Sequence, residues 1–195
     1  MTGAGQLSIA DVTCSRGGRV LFEALNLTLI PGQAALVSGP NGSGKSSLLR
    51  LIAGLITPLR GHVQCEGEIA LADESHALDP LSPLKKALTF WADIDSAPPE
   101  RVDHALSAMA ITHLADVPVR MLSTGQRKRA TLARVIASGA DIWLLDEPAN
   151  GLDTASVALL VAAMSAHRAL GGIIIVTSHQ SLDVQDALLI NLGAM

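Results

Sequence analysis

The octapeptide GPNGSGKS at residues 39–46 has the pattern G-x-x-x-x-G-K-[ST], and it decides the fold of this 195-residue chain. The apolar run Ala34 to Val37 precedes it as a short buried strand, and residues 47–54 follow it as a helix. Glycines in such a loop let backbone N–H groups surround a β-phosphate, and the N-terminus of the next helix adds partial positive charge. The stretch therefore predicts a phosphate-binding loop for a nucleoside triphosphate.

Three side chains of this loop have expected roles. Lys45 should reach the β- and γ-phosphates, the Ser46 hydroxyl should provide one oxygen to Mg²⁺, and Ser47 should face the α-phosphate. The alternative is a glycine-rich turn with an accidental lysine, and the strand before it and the helix after it argue against that. The predicted nucleotide-binding residues of the loop are Gly39, Pro40, Asn41, Gly42, Ser43, Gly44, Lys45, Ser46 and Ser47.

Length, charge and cysteine content narrow the class of protein. The length suits one α/β domain, 1–195, and the net charge of -4 with interspersed signs argues against a nucleic-acid partner. The two cysteines, Cys14 and Cys65, form no Cys-x-x-Cys pair, which fits a reducing cytosol and disfavours a zinc site.

Membrane insertion and secretion are not expected. The first residues lack the basic segment and apolar core of a signal peptide. The longest apolar stretch, Val157 to Ala166, is well short of the roughly 18 residues that a membrane span needs. We therefore expect a cytoplasmic chain that contacts a membrane only through partners.

Apolar patterning predicts two kinds of strand. Leu7 to Thr13 and Leu25 to Ile30 alternate like half-buried strands of an antiparallel unit. The strand before the loop, Ile142 to Asp146 and Ile173 to Thr177 are continuous apolar runs, as in a parallel sheet covered on both faces.

The region of about 77–135 is expected to be an inserted helical subdomain. Helices should begin at Pro83 and at Pro98-Pro99-Glu100, and no convincing strand occurs before Ser123. A further long helix should run from Asp153 to Leu170, capped by Asp153 and ended by Gly171-Gly172.

A second motif, LSTGQ at residues 122–126, begins a helix with the body Arg127 to Ala137. Ser123 and Gln126 have the spacing of a capping box, so the motif alone indicates only a capped helix. Its position between the phosphate loop and a strand that ends in Asp146 makes the order resemble the ATP-binding subunits of ABC transporters, whose signature is LSGGQ. Thr124 replaces the first signature glycine, which should leave Ser123 and Gly125 able to meet a γ-phosphate.

This resemblance covers essentially the whole chain and implies the ABC ATPase fold: α/β, a P-loop NTPase core with a mainly parallel sheet, an N-terminal antiparallel β subdomain and an inserted helical subdomain. It implies that Asp146 holds the Mg²⁺ shell and that Glu147 is the general base for the attacking water. Asp153, in the loop Asn150-Gly-Leu-Asp153, would act across a dimer interface, and His179 would hydrogen-bond the γ-phosphate as the switch histidine. Without the phosphate loop upstream, an Asp-Glu pair at a strand end is a common solvated turn.

Two positions depart from the family pattern. Arg16 occupies the place where most members stack an aromatic side chain on adenine, and a guanidinium plane could stack there instead. Glu74 occupies the place of the glutamine that usually binds Mg²⁺; it is either a metal ligand with an added charge or a solvated loop residue.

The resemblance also implies how the subunit works. Two chains would meet head to tail, with each ATP between residues 39–47 of one chain and the Ser123, Gly125 and Gln126 segment of the other. The stretch from Gly171 to Leu182 and the short length most resemble the haem exporter ATPases of bacterial cytochrome c maturation. That branch implies a peripheral subunit on the cytoplasmic face of the bacterial inner membrane, docked on an integral-membrane permease, whose ATP hydrolysis drives haem delivery.

Two alternatives stay open. A motor of the same architecture could serve another cargo, because the permease recognises the cargo and no residue here looks like a haem ligand. A soluble ABC ATPase acting on nucleic acid or ribosomes would be expected to carry two fused cassettes or a coiled-coil insertion, and this sequence has neither.

Overall fold

A computed structural model of the chain describes residues 5–73, 77–179 and 182–193. The strands are β1 Gln6–Arg16, β2 Arg19–Leu29, β3 Ala34–Ser38, β4 Arg60–Glu66, β5 Ile69–Ala72, β6 Ile142–Asp146, β7 Ile173–Thr177 and β8 Leu188–Asn191. The helices are α1 Lys45–Ile52, α2 Leu84–Ile94, α3 Glu100–Ala108, α4 Thr124–Ser138 and α5 Thr154–Ala169, with short 3-10 turns at Thr112–Leu114 and Val119–Met121.

The strands form two sheets. An antiparallel sheet has the order β2-β1-β4, and a parallel sheet has the order β5-β6-β7-β3-β8. The predicted antiparallel unit and the three predicted parallel strands are confirmed. Strands β4, β5 and β8 were not predicted from the sequence: β4 is largely polar, and β5 and β8 are only four residues long.

The parallel sheet separates two hydrophobic cores. Alternate residues of β6 and β7, such as Ile142 and Ile173, pack with the antiparallel sheet and α1. Their neighbours, such as Leu145 and Val176, pack with α2, α3 and α4. Both strands are buried on both faces for this reason, which explains their continuous apolar sequence.

Helix boundaries follow local signals closely. α2 and α3 begin directly after Pro83 and Pro99, and α5 is capped by Asp153. The helix after the phosphate loop starts two residues earlier than predicted, at Lys45, and the chain leaves it before Gly54, whose φ is 70°. From residue 77 to 123 the described chain contains no strand, only an isolated bridge between Pro83 and Pro118.

Candidate functional site

The phosphate-binding loop joins the end of β3 to the start of α1. Gly39, Gly42 and Gly44 all have positive φ values, 142°, 80° and 103°, which only glycine adopts without strain. A Cβ on Gly39 would lie 2.0 Å from the carbonyl oxygen of Leu192, directly after β8, so this contact also requires a glycine.

Lys45 is buried within this loop, with 7% of the residue exposed. Its Nζ donates to the carbonyl oxygens of Gly39 at 2.9 Å and Pro40 at 3.2 Å. The ammonium group therefore already lies against the loop backbone, where a phosphate would offer it stronger, charged acceptors.

The acidic pair lies at the carboxyl end of β6. Asp146 is 7% exposed, and its Oδ1 accepts a hydrogen bond of 2.7 Å from the hydroxyl of Thr177 on the adjacent strand β7. Glu147 has a φ of 45°, so the chain turns sharply there, and its backbone N–H donates to Thr177 Oγ1 at 2.9 Å. The Glu147 carboxylate is thereby directed toward His179, whose backbone N–H donates to Glu147 Oε2 at 3.2 Å.

One cleft brings these parts together. It has a volume of about 660 Å³, within the range of about 300–1,000 Å³ that is common for ligand sites. Its lining residues are Arg16, Leu21, Asn41, Gly42, Gly44, Lys45, Ser46, Ser47, Asp146, Glu147, Asn150 and His179. The phosphate loop, the acidic pair, the predicted switch histidine and Arg16 therefore face one space.

Three residues in or beside this cleft were not predicted from the sequence as parts of the site. Leu21 comes from the β1–β2 hairpin, next to Arg16, and has no sequence signal of its own. Asn150 was recognised within its loop but was not assigned to the site. Thr177 was seen only as the end of an apolar strand, and nothing in the sequence shows that its hydroxyl contacts Asp146 and Glu147.

The LSTGQ motif begins α4 with the predicted capping box. Ser123 Oγ accepts from the Gln126 backbone N–H at 3.3 Å, and Gln126 Oε1 accepts from the Ser123 backbone N–H at 2.9 Å. Neither residue lines the cleft that holds Lys45 and Glu147, and neither does Gly125.

Asp153 also lies outside that cleft and caps α5. Its Oδ1 accepts from the Ser156 backbone N–H at 2.7 Å. Hydrogen bonds from the backbone and the hydroxyl of Ser156 lower the pKa of Asp153 below its ordinary value.

The basic run after the motif satisfies backbone carbonyls within the chain. Arg127 Nε donates to the Leu122 carbonyl at 3.1 Å, and Arg129 Nη1 donates to the Met109 carbonyl at 3.2 Å. Lys128 Nζ lies 3.5 Å from the Asp146 carbonyl oxygen and so connects α4 to the end of β6. The three basic side chains therefore connect α4 to neighbouring parts of the chain, besides contributing positive charge.

Glu74 lies outside the described residues. The nearest described residues on either side, Asp73 and Ala77, each make a contact with a helix. Arg50 on α1 pairs with Asp73 at 3.5 Å, and the indole N–H of Trp91 donates to the Ala77 carbonyl at 2.8 Å. Arg134 on α4 donates to the Leu71 carbonyl and lies 5.3 Å over the Trp91 ring. Burial lowers the pKa of Arg134.

The residues present fit a magnesium ion bound together with a phosphate. Ser46 and Asp146 offer a hydroxyl and a carboxylate in the same cleft, and Mg²⁺ prefers such oxygen ligands. In the described ranges, no three His, Cys, Asp or Glu side chains group closely enough to hold a metal by themselves. Mg²⁺ usually binds through one or two protein ligands plus substrate phosphates, so this donor set suits it.

No helix of the described part is both long and apolar enough to cross a membrane.

The sequence of this chain is similar to those of proteins from a known family. The family model described as ABC transporter matches residues 22–150. The cytochrome c biogenesis ATP-binding export protein CcmA of Sphingopyxis alaskensis is 56% identical over 92% of this chain and 93% of its own length.

Solved structures of low identity share the fold. An ABC transporter ATP-binding protein from Pyrococcus furiosus superposes with a TM-score of 0.85 at 23% identity, over 96% of this chain and 97% of its own. A dimeric ATP-binding cassette bound to ADP and phosphate gives a TM-score of 0.80 at 21% identity, over 89% of this chain and 88% of its own.

Proposed function

Because this chain belongs to the ABC transporter family, within the branch of cytochrome c biogenesis ATP-binding export proteins, we propose that it powers an export complex for c-type cytochrome biogenesis. Its activity is ATP hydrolysis coupled to transport. The observation that carries the proposal is the single cleft that is lined by Lys45, Asp146, Glu147 and His179.

Binding of ATP uses the phosphate loop. Lys45 exchanges the carbonyl oxygens of Gly39 and Pro40 for the β- and γ-phosphate oxygens, which are charged and therefore better acceptors. Arg16, at the rim of the same cleft, stacks its guanidinium plane on the base. Ser46 and Asp146 would hold Mg²⁺, with Glu74 as a further candidate ligand. When bound, the ion neutralises charge on the phosphates.

Hydrolysis uses Glu147 and His179. A water oxygen attacks the γ-phosphorus, the bond from this phosphorus to the β–γ bridging oxygen breaks, and a water proton passes to the Glu147 carboxylate, leaving ADP and phosphate. Only 15% of the Glu147 side chain is exposed, so little bulk water reaches its carboxylate, although Glu147 lines the cleft. His179, with 41% of its side chain exposed, would leave the Glu147 carboxylate and turn toward the γ-phosphate.

The site is completed by a second copy of the chain. Ser123, Gly125 and Gln126 do not line the cleft of their own chain, and the helix N-terminus that they form is suited to bind an anion. In a head-to-tail dimer they meet the γ-phosphate held by the other chain, and Asp153 lies at the same interface. ATP then holds the two chains together, and hydrolysis loosens them.

A mixing experiment tests this shared site. Lys45→Ala removes the phosphate-loop cation, and Ser123→Glu places a negative charge at the signature. Each variant alone should lose turnover, whereas an equal mixture should recover part of it, because the mixed dimer contains one site with both halves intact. No recovery in a mixture that forms dimers would overturn the shared site.

We assign haem as the cargo of the complex. The subunit attaches peripherally to the cytoplasmic face of the bacterial inner membrane through a permease, and it does not act on nucleic acid. Relatives named for cytochrome c biogenesis support this assignment. Deleting the gene should abolish c-type cytochromes while b-type cytochromes persist, and affinity capture in detergent should retain a multispanning protein. Normal c-type cytochromes would favour another cargo, and nucleic acid retained through washing would favour a soluble ABC ATPase.

A further inference from the structure

Thr177 makes two hydrogen bonds that join the acidic pair to strand β7. It is fully buried and is the register partner of Asp146 in the parallel pairing of β6 with β7. Its hydroxyl donates to Asp146 Oδ1 at 2.7 Å and accepts the backbone N–H of Glu147 at 2.9 Å. One oxygen therefore contacts both residues to which the proposed function assigns the chemistry.

The two bonds act on different parts of the pair. The bond to Oδ1 fixes the rotation of the Asp146 carboxylate and leaves its other oxygen for the cleft. The bond from the Glu147 N–H supports a backbone with a φ of 45°, which is strained for a residue with a side chain. Without the hydroxyl, the Glu147 N–H would lose its hydrogen-bond acceptor. Glu147 lies just beyond the end of β6, so backbone pairing within the sheet would not replace that acceptor.

We propose that Thr177 is a positioning residue for ATP hydrolysis, which orients the Asp146 carboxylate toward Mg²⁺ and holds Glu147 in the turn that directs its carboxylate into the cleft. This inference rests on the proposed roles of Asp146 and Glu147. Outer partners that orient metal ligands commonly change metal affinity or activity by about 10- to 100-fold when they are removed.

The test compares Thr177→Val, which keeps the shape and removes the hydroxyl, with Thr177→Ser, which keeps the hydroxyl and removes a methyl group. Both are made in the full chain carrying Glu147→Gln, so that ATP stays intact during equilibrium binding. For each variant, ATP affinity is measured with excess Mg²⁺ and again with EDTA. The ratio of the two affinities reports how well the chain binds the metal. A general structural defect would weaken both affinities and leave this ratio unchanged.

The valine variant should lower the magnesium-to-EDTA ratio by about tenfold or more, with the EDTA affinity preserved. The serine variant should keep the parent ratio. A parental ratio in the valine variant, or an equal loss in both variants, would overturn the inference, because then the hydroxyl does not orient the metal ligand.

A second measurement follows turnover in chains that retain Glu147. Thr177→Val should lower kcat about 10- to 100-fold, and Thr177→Ser should restore most of it. If Glu147→Gln alone proved fully active, the base assignment would fail, while the magnesium ratio, measured then with a non-hydrolysable ATP analogue, would still judge the contact with Asp146. The two failures are thus distinguishable.

Discussion

The imidazole of His179 lies against the carboxylate of Glu147, with Nε2 at 3.3 Å from Oε1. Within the part of the chain that the structure describes, this oxygen is buried and has no partner in hydrogen-bonding geometry, whereas Oε2 accepts the His179 backbone N–H. Oε1 is therefore the oxygen that could take a proton from water once the imidazole moves away. A γ-phosphate that attracts the imidazole would open the same space for that water.

Glu147→Gln should leave ATP binding intact and reduce turnover by about 100-fold or more, because an amide cannot accept the water proton. The variant should also accumulate as an ATP-bound dimer, which size-exclusion chromatography with and without ATP can detect. Glu23→Gln, at an exposed position on β2, is the matched control. Undiminished ATPase activity in Glu147→Gln would remove the base assignment.

Lys45→Ala should weaken ATP binding itself, by about tenfold or more, because hydrogen bonds to charged groups are worth roughly 1.5–3 kcal/mol. Lys86→Ala, on the exposed face of α2, removes the same charge away from the cleft and should bind like the parent chain. Binding of a fluorescent ATP analogue would compare the two. Equal affinities would show that the Lys45 amine stays on the carbonyls of Gly39 and Pro40.

Gly39→Ala and Gly42→Ala should differ although both residues belong to the phosphate loop. A Cβ at Gly39 would meet the Leu192 carbonyl at 2.0 Å, whereas a Cβ at Gly42 has no atom within 4 Å. We expect Gly42→Ala to lower the free energy of unfolding by only about 1–2 kcal/mol, the cost of a left-handed residue. Gly39→Ala should cost more and also weaken ATP binding, because the loop must separate from Leu192. Urea unfolding would measure both free energies, and equal losses would show that the contact between Gly39 and Leu192 is unimportant.

His167 should make the fold sensitive to mild acid. Its ring stacks on Trp143 with centroids 3.9 Å apart, and burial lowers the pKa of His167 from 6.5 to about 4. Between these values the unfolded chain binds a proton that the folded chain does not, so stability is complete above pH 6.5 and falls as the pH drops toward 4. From pH 7.5 to 5 the free energy of unfolding should decrease by about 2 kcal/mol through this residue.

The matched variant is His167→Phe, which keeps a flat ring on Trp143 but cannot be protonated. Urea unfolding at pH 7.5 and pH 5 should show a smaller decrease for phenylalanine than for histidine. The same decrease in both chains would assign the acid sensitivity to other groups.

The sequence by itself determined the local parts of this protein. The phosphate loop, the capping box of Ser123 and Gln126, and the start of α5 at Asp153 each depend on backbone groups within a few residues, so their side chains specify them directly. The strands β6 and β7 were also predictable, because burial on both faces leaves a continuous apolar run.

Only the tertiary structure decided which distant residues meet. Arg16 lines the same cleft as Lys45 because the β1–β2 hairpin lies against Gly44 of the loop. Thr177 contacts Asp146 and Glu147 because β6 and β7 pair in one particular register. β5 and β8 are short strands whose pairing depends on neighbours far away in the chain. Such contacts follow from packing between elements, and a pattern read along one segment does not contain the register that creates them.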